Sequence, residues 1–199
     1  MRYTDEEIRN LQNDSVFLAE LLERESKAIQ TKEIIDLYEI LDTLLLFDTD
    51  TKERINKLYG LIIEGALANL HKKLKGEQLF DLNNDNDHYS LRAIYEYAIE
   101  QYNGNKFHEA KELFIMLSIL TENNVFKGAM QIHLISILKE IAFEDFLSRF
   151  VDAEKMESTN ESFFILYFQD EANKFLHKNS SLIKDAIQEV KNIKIWEFI

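Results

Sequence analysis

The residues from Asp81 to Asp87, DLNNDND, come closest to a chemical site in this chain. Asp81, Asn83, Asp85 and Asp87 occupy the first, third, fifth and seventh places of an EF-hand calcium loop, where side-chain oxygens surround the ion. The same alignment puts Asn86 where the loop's sharp turn needs glycine, and Arg92 where the bidentate glutamate belongs. A guanidinium in place of the main anionic ligand repels the metal, so the stretch reads as a solvated polar linker. His108-Glu109 begins like the helix of a zinc peptidase, but Glu112 stands where the second histidine is required. The other histidines, at 71, 88, 133 and 177, have no ligand spacing. His133 lies among apolar neighbours and reads as a core histidine with its ring nitrogens satisfied. There is no cysteine, hence no thiolate nucleophile, zinc–thiolate site or disulfide. No phosphate loop, dinucleotide fingerprint or nucleophile elbow occurs. With 36 acidic residues in the chain, carboxylate pairs on helices read as solvated faces rather than acid–base couples. The expectation is a protein without catalytic residues, metal or cofactor.

A net charge of −13 argues against a nucleic-acid partner, because phosphate contacts need a basic stripe, and against anionic membrane surfaces. Protein partners remain. No apolar run approaches the roughly 20 residues of a membrane span. The first residues, MRYTDEEIRN, are polar and acidic, unlike a secretory leader. These features lead to an expectation of a cytoplasmic protein. Proline is absent and glycine occurs five times, while apolar residues recur at three- and four-residue spacing. The class is all-α.

Thr4-Asp5-Glu6-Glu7 has capping-box spacing and predicts a first short helix. Asp14 or Ser15 can cap a second, and Thr31 can open a third through Ile34, Tyr38, Leu41 and Leu45. Asp50 is placed to cap a long helix to about Lys75, in which Gly60 and Gly65 suggest close packing against a neighbour. Residues 76–88 form the polar linker. Ser90 can cap a helix to Tyr102, and further helices are expected at about 107–121, 124–139, 143–156, 160–177 and 181–196. The chain thus divides into an N-terminal helical region (1–75), the linker (76–88) and an array of helical hairpins (89–199).

The array has the marks of a tetratricopeptide-like repeat beginning at Leu91. Tyr97 and Ala98 fall at the close-packing positions of its first helix, and Ala110, Phe114 and Leu117 at those of its second. Asn103-Gly104-Asn105 makes the turn, with Gly104 expected to supply the positive φ. The run from Ala98 through Tyr102, Lys106, Phe107, Ala110, Phe114 and Leu117 resembles the first repeat of the class II type III secretion chaperones, with the turn glycine one place early. This likeness covers about 40 residues, roughly 91–130. A second unit can be aligned through Phe143-Glu144-Asp145-Phe146, with Phe146 where alanine belongs, and a more degenerate third lies around Ser162 to Ala186.

The resemblance implies a non-enzymatic cytosolic chaperone that holds an extended segment of a secreted translocator-type protein in a concave groove. The groove would be lined by Arg92, Tyr95, Ile99 and Tyr102, then by Gln131, Ile135 and Leu138, with Phe164, Tyr167 and Phe168 as weaker candidates. Aromatic side chains suit such a face because they give large contact area at low entropic cost. That family dimerises through a short N-terminal helix, so a homodimer is a further expectation, although residues 1–75 are longer than such a helix. The competing reading is a tetratricopeptide-like adaptor that binds a folded protein, such as another component of a secretion apparatus.

Overall fold

The computed structural model describes residues 4–47, 51–158 and 163–192. Among them are eleven helices: α1 (Asp5–Asn13), α2 (Ser15–Thr31), α3 (Ile34–Leu45), α4 (Lys52–Lys75), α5 (Asp85–Asn103), α6 (Phe107–Ile119), α7 (Asn124–Leu138), α8 (Phe143–Phe150), α9 (Ala153–Ser158), α10 (Asp170–Lys178) and α11 (Ser180–Asn192). The fold is all-α, a helical-hairpin array of the tetratricopeptide-like kind in which consecutive helices pack on one another. The capping box at Thr4 is formed, with the Glu7 N–H donating to Thr4 and the Glu7 carboxylate accepting from the Thr4 N–H. Asp14 caps α2 by accepting from Val16 and Phe17. Thr31 closes α2 instead of opening α3. The cap expected at Asp50 lies outside the described residues.

The helix ends show a repeat more clearly than the side chains do. At the end of α5, the Lys106 N–H reaches back to the Gln101 carbonyl and Asn105 takes the left-handed conformation at φ 56°. The end of α7 repeats this with Ile141 bonded to Ser136 and Glu140 at φ 51°. The end of α4 does so with Gln78 bonded to Lys73 and Glu77 at φ 51°. Each is a helix stop in which a left-handed residue lets the last carbonyls find donors. The positive φ after α5 therefore belongs to Asn105, whose short amide tolerates it, while Gly104 stays at φ −78°.

Packing confirms Ala98, Ala110, Phe114 and Leu117 as buried contact residues of the α5–α6 hairpin. Tyr97 differs: it is turned outward. The glycines of α4 also differ from expectation, since a Cβ at Gly60 or Gly65 would meet nothing within 4 Å. No close helix contact requires them. The segment expected as a solvated linker is fastened at both ends. Phe80 is buried and bridges Thr121, and α5 starts at Asp85, capped by Asn84 rather than Ser90. Asp87, buried, accepts from Lys73 Nζ at 2.5 Å, from the Asp81 N–H and from Asn69. Burial alone would raise its pKa, but these donors outweigh it and hold the carboxylate below its ordinary value.

One core cluster runs from Leu21 to Ala186. Helices α5 and α7 are buried nearly all round, which makes them the central pair, with α6 and α8 packed against them. The largest departure from the sequence pattern comes after α8. The helix expected over 143–156 breaks at Val151–Asp152, and of the helix expected over 160–177 the described residues, from 163 on, are helical only from Asp170. Residues 163–169 instead run as non-helical chain, and the third repeat is not formed there.

Candidate peptide-binding face

The face on which the sequence placed a groove is closed by residues 163–168 of the chain itself. Phe168 pairs antiparallel with Val151, flanked by the Asp152 N–H donating to the Tyr167 carbonyl at 3.0 Å and the Gln169 N–H to the Phe150 carbonyl at 2.8 Å. This strap crosses α5 and α7 and brings three aromatic rings onto them.

Phe164 is buried in a slot made by His88, Tyr95 and Phe126, at ring separations of 5.3, 5.3 and 5.0 Å. Phe168 lies against His133 and Phe146. Phe163 covers the Arg92 guanidinium, which is sandwiched at 3.8 Å from that ring and 3.9 Å from Tyr38. Arg92 also binds both oxygens of Asp42, at 2.8 and 2.6 Å, and Glu96 at 2.7 Å. Burial works against its charge, but the Asp42 and Glu96 carboxylates more than offset it and raise the pKa. The pair with Asp42 ties α3 to α5, so the N-terminal helices help to shape the face. Glu96 in turn accepts from the Tyr38 hydroxyl at 2.8 Å.

Tyr95 reads the backbone of the strap. Its hydroxyl accepts from the Ile165 N–H at 3.0 Å and lies 3.3 Å from His133 Nε2. His133 Nδ1 is 2.8 Å from the Ala129 carbonyl, which can only accept, so that nitrogen carries the proton and Nε2 receives the tyrosine hydroxyl. A chain of donors thus runs from the strap to Tyr95, to His133 and into α7. Every member is satisfied, as a buried polar network requires. Burial pushes the Tyr95 hydroxyl pKa up and lowers that of His133 to about 4, so both are neutral at physiological pH. His133 is the satisfied core histidine that its apolar surroundings suggested.

The remaining expected groove residues divide. Tyr102 is a core residue: its ring meets Phe107, Phe143 and Phe146, and its hydroxyl donates to the Ile141 carbonyl at 2.8 Å. It fastens the α7–α8 turn and faces no groove. Ile135 is likewise fully buried, in the part of α7 that is enclosed by its neighbours. Ile99, Gln131 and Leu138 are half-buried. Arg92 and Tyr95 do touch an extended segment, together with His88, Phe126, Phe146 and His133. Of the weaker candidates, Phe164 and Phe168 are the segment's anchors, not the groove's lining, and Tyr167 contributes its carbonyl to the pairing with Asp152. His88 was legible only as an isolated histidine, and Phe126 and Phe146 only as apolar positions, so no spacing rule could group them.

Among the described residues, no three histidine, aspartate or glutamate side chains converge as metal ligands, and no helix is long and apolar enough to cross a membrane. No family model, curated protein or solved structure matches the chain.

Proposed function

We propose that this chain is a protein-binding helical array that acts as a cytoplasmic chaperone of the class its central hairpin resembles, holding an extended, aromatic-bearing segment of a secreted translocator-type protein. The observation that carries this reading is the grip on residues 163–168. A hydroxyl held by His133 bonds the backbone of an extended segment while ring slots on either side take its aromatics. Backbone hydrogen bonding combined with side-chain pockets is how protein surfaces hold extended peptides. The acidic remainder of the chain keeps a complex with an apolar client soluble.

Co-expression with a translocator-type export substrate tests it. The chaperone should keep the substrate soluble, and limited proteolysis of the purified pair should reveal one short shielded segment bearing aromatic residues. A substrate that aggregates equally with and without the chain, or is shielded only across a folded domain, refutes the reading.

A further inference from the structure

Residues 163–168, Phe-Phe-Ile-Leu-Tyr-Phe, are six uncharged, largely apolar residues in succession, in a chain where 30% of residues are charged. A run of this kind belongs in a core or against a partner, since exposed it is an aggregation hazard. Yet only Phe164 is fully buried. Phe163 is 40% exposed and residues 165–168 are half-buried. The segment lies on the helical framework as a guest, held by ring contacts, a bond to the Tyr95 hydroxyl and backbone bonds on either side of a bridge to Val151.

We propose that this strap is the internal occupant of a peptide-binding face and that an extended segment of a different protein, with the same chemistry, displaces it. This rests on the function proposed above and specifies its ligand. The two ring sites, at Phe164 and Phe168, are four residues apart on the strap, so the ligand carries aromatic rings at that spacing, with no charge between them. The residue after the first aromatic must present an N–H to Tyr95, which excludes proline there. A further aromatic just before the first can cover Arg92. The Phe150 carbonyl and Asp152 N–H supply one acceptor and one donor to any extended backbone laid beside them. The occupant is a different protein rather than a second copy because each copy carries a net charge of −13, and two such chains repel where a less acidic partner does not.

A reversible lock tests the displacement. Val151 and Phe168 face each other in the narrow kind of antiparallel pair, where Cα atoms lie about 4.5 Å apart. That separation admits a disulfide. The variant Val151→Cys/Phe168→Cys would contain the chain's only cysteines. The probe is a fluorescent synthetic peptide of residues 163–170 with terminal lysines for solubility, and fluorescence anisotropy reads its binding to one protein preparation, oxidised and then reduced. The reduced form should bind at least tenfold more tightly than the oxidised form, and a peptide with alanine in place of Phe164 and Phe168 should lose that binding. Binding to neither form, or equally to both, overturns the proposal. Dimerisation on reduction without peptide uptake seats a second copy on the face and overturns the assignment to a different protein. The peptide needs no export substrate, so the two readings can fail separately. A shielded translocator without a peptide response discards the occupant and keeps the chaperone, whereas the reverse keeps the occupant and discards the translocator.

Discussion

Tyr95→Phe removes one oxygen atom and leaves the packing of the ring against Phe114, His133 and Phe164 in place. The loss therefore reports on the hydroxyl alone. It strips the acceptor from the Ile165 N–H and the donor from His133 Nε2. A buried polar group left without a partner costs about 1–3 kcal/mol. His133 is fully buried and bears that cost, while Ile165 is half-buried and can turn partly to water. The sum is about 2–3 kcal/mol, which denaturant unfolding resolves as a lower midpoint at unchanged slope. Hydrogen exchange locates it: amides in the strap, Ile165 first, should exchange faster, while those in the middle of α5 and α7 change only by the global loss. A variant with wild-type stability and an unchanged Ile165 amide would refute the claim that this hydroxyl holds the strap.

The buried His133 makes stability depend on pH in a predictable direction. Its folded pKa of about 4 lies below the ordinary 6.5, so its contribution is complete above pH 6.5 and is lost as pH falls toward 4, because only the unfolded chain takes up the proton. The loss amounts to about 3 kcal/mol at pH 4, and His133→Gln should remove this component. Parallel stability–pH curves for the two proteins would contradict it. Gly60→Ala and Gly65→Ala add a methyl to open space in α4 and should each raise stability by up to about 1 kcal/mol, seen as a higher Tm; a lower one would refute the open space at these positions. Ala110→Leu overpacks the α5–α6 crossing and should cost about 1–3 kcal/mol, so an unchanged melt would displace Ala110 from that crossing.

The features legible in the sequence were those written in local chemistry. Thr4 and Glu7 bond each other three residues apart, Asp14 caps its own helix, and Asn103-Gly104-Asn105 turns the chain where two apolar stripes end. The face was legible only in part, because its identity depends on contacts across long separations: Tyr95 to Ile165, Arg92 to Asp42. Phe164 and Phe168 illustrate the difficulty. Their spacing fits one side of a helix as well as alternate positions of an extended strand, and neither glycine nor proline marks the run. Tertiary contacts with His88, Phe126 and His133 decided the matter. Gly60 and Gly65 misled in the opposite sense, since glycine in a helix signals close packing only when a neighbour is there to pack.

The order of the chain has a consequence for its synthesis. Apart from its internal occupant, every residue that forms the face, from Tyr38 to Asp152, precedes the strap, so on a growing chain all of them are added, and leave the ribosome, before Phe163. Synthesis at about 5–20 residues per second leaves an interval on the order of a second in which that surface has been made and its own occupant has not. For that interval any extended aromatic segment nearby competes with nothing, and afterwards it must compete with a segment tethered to the same molecule.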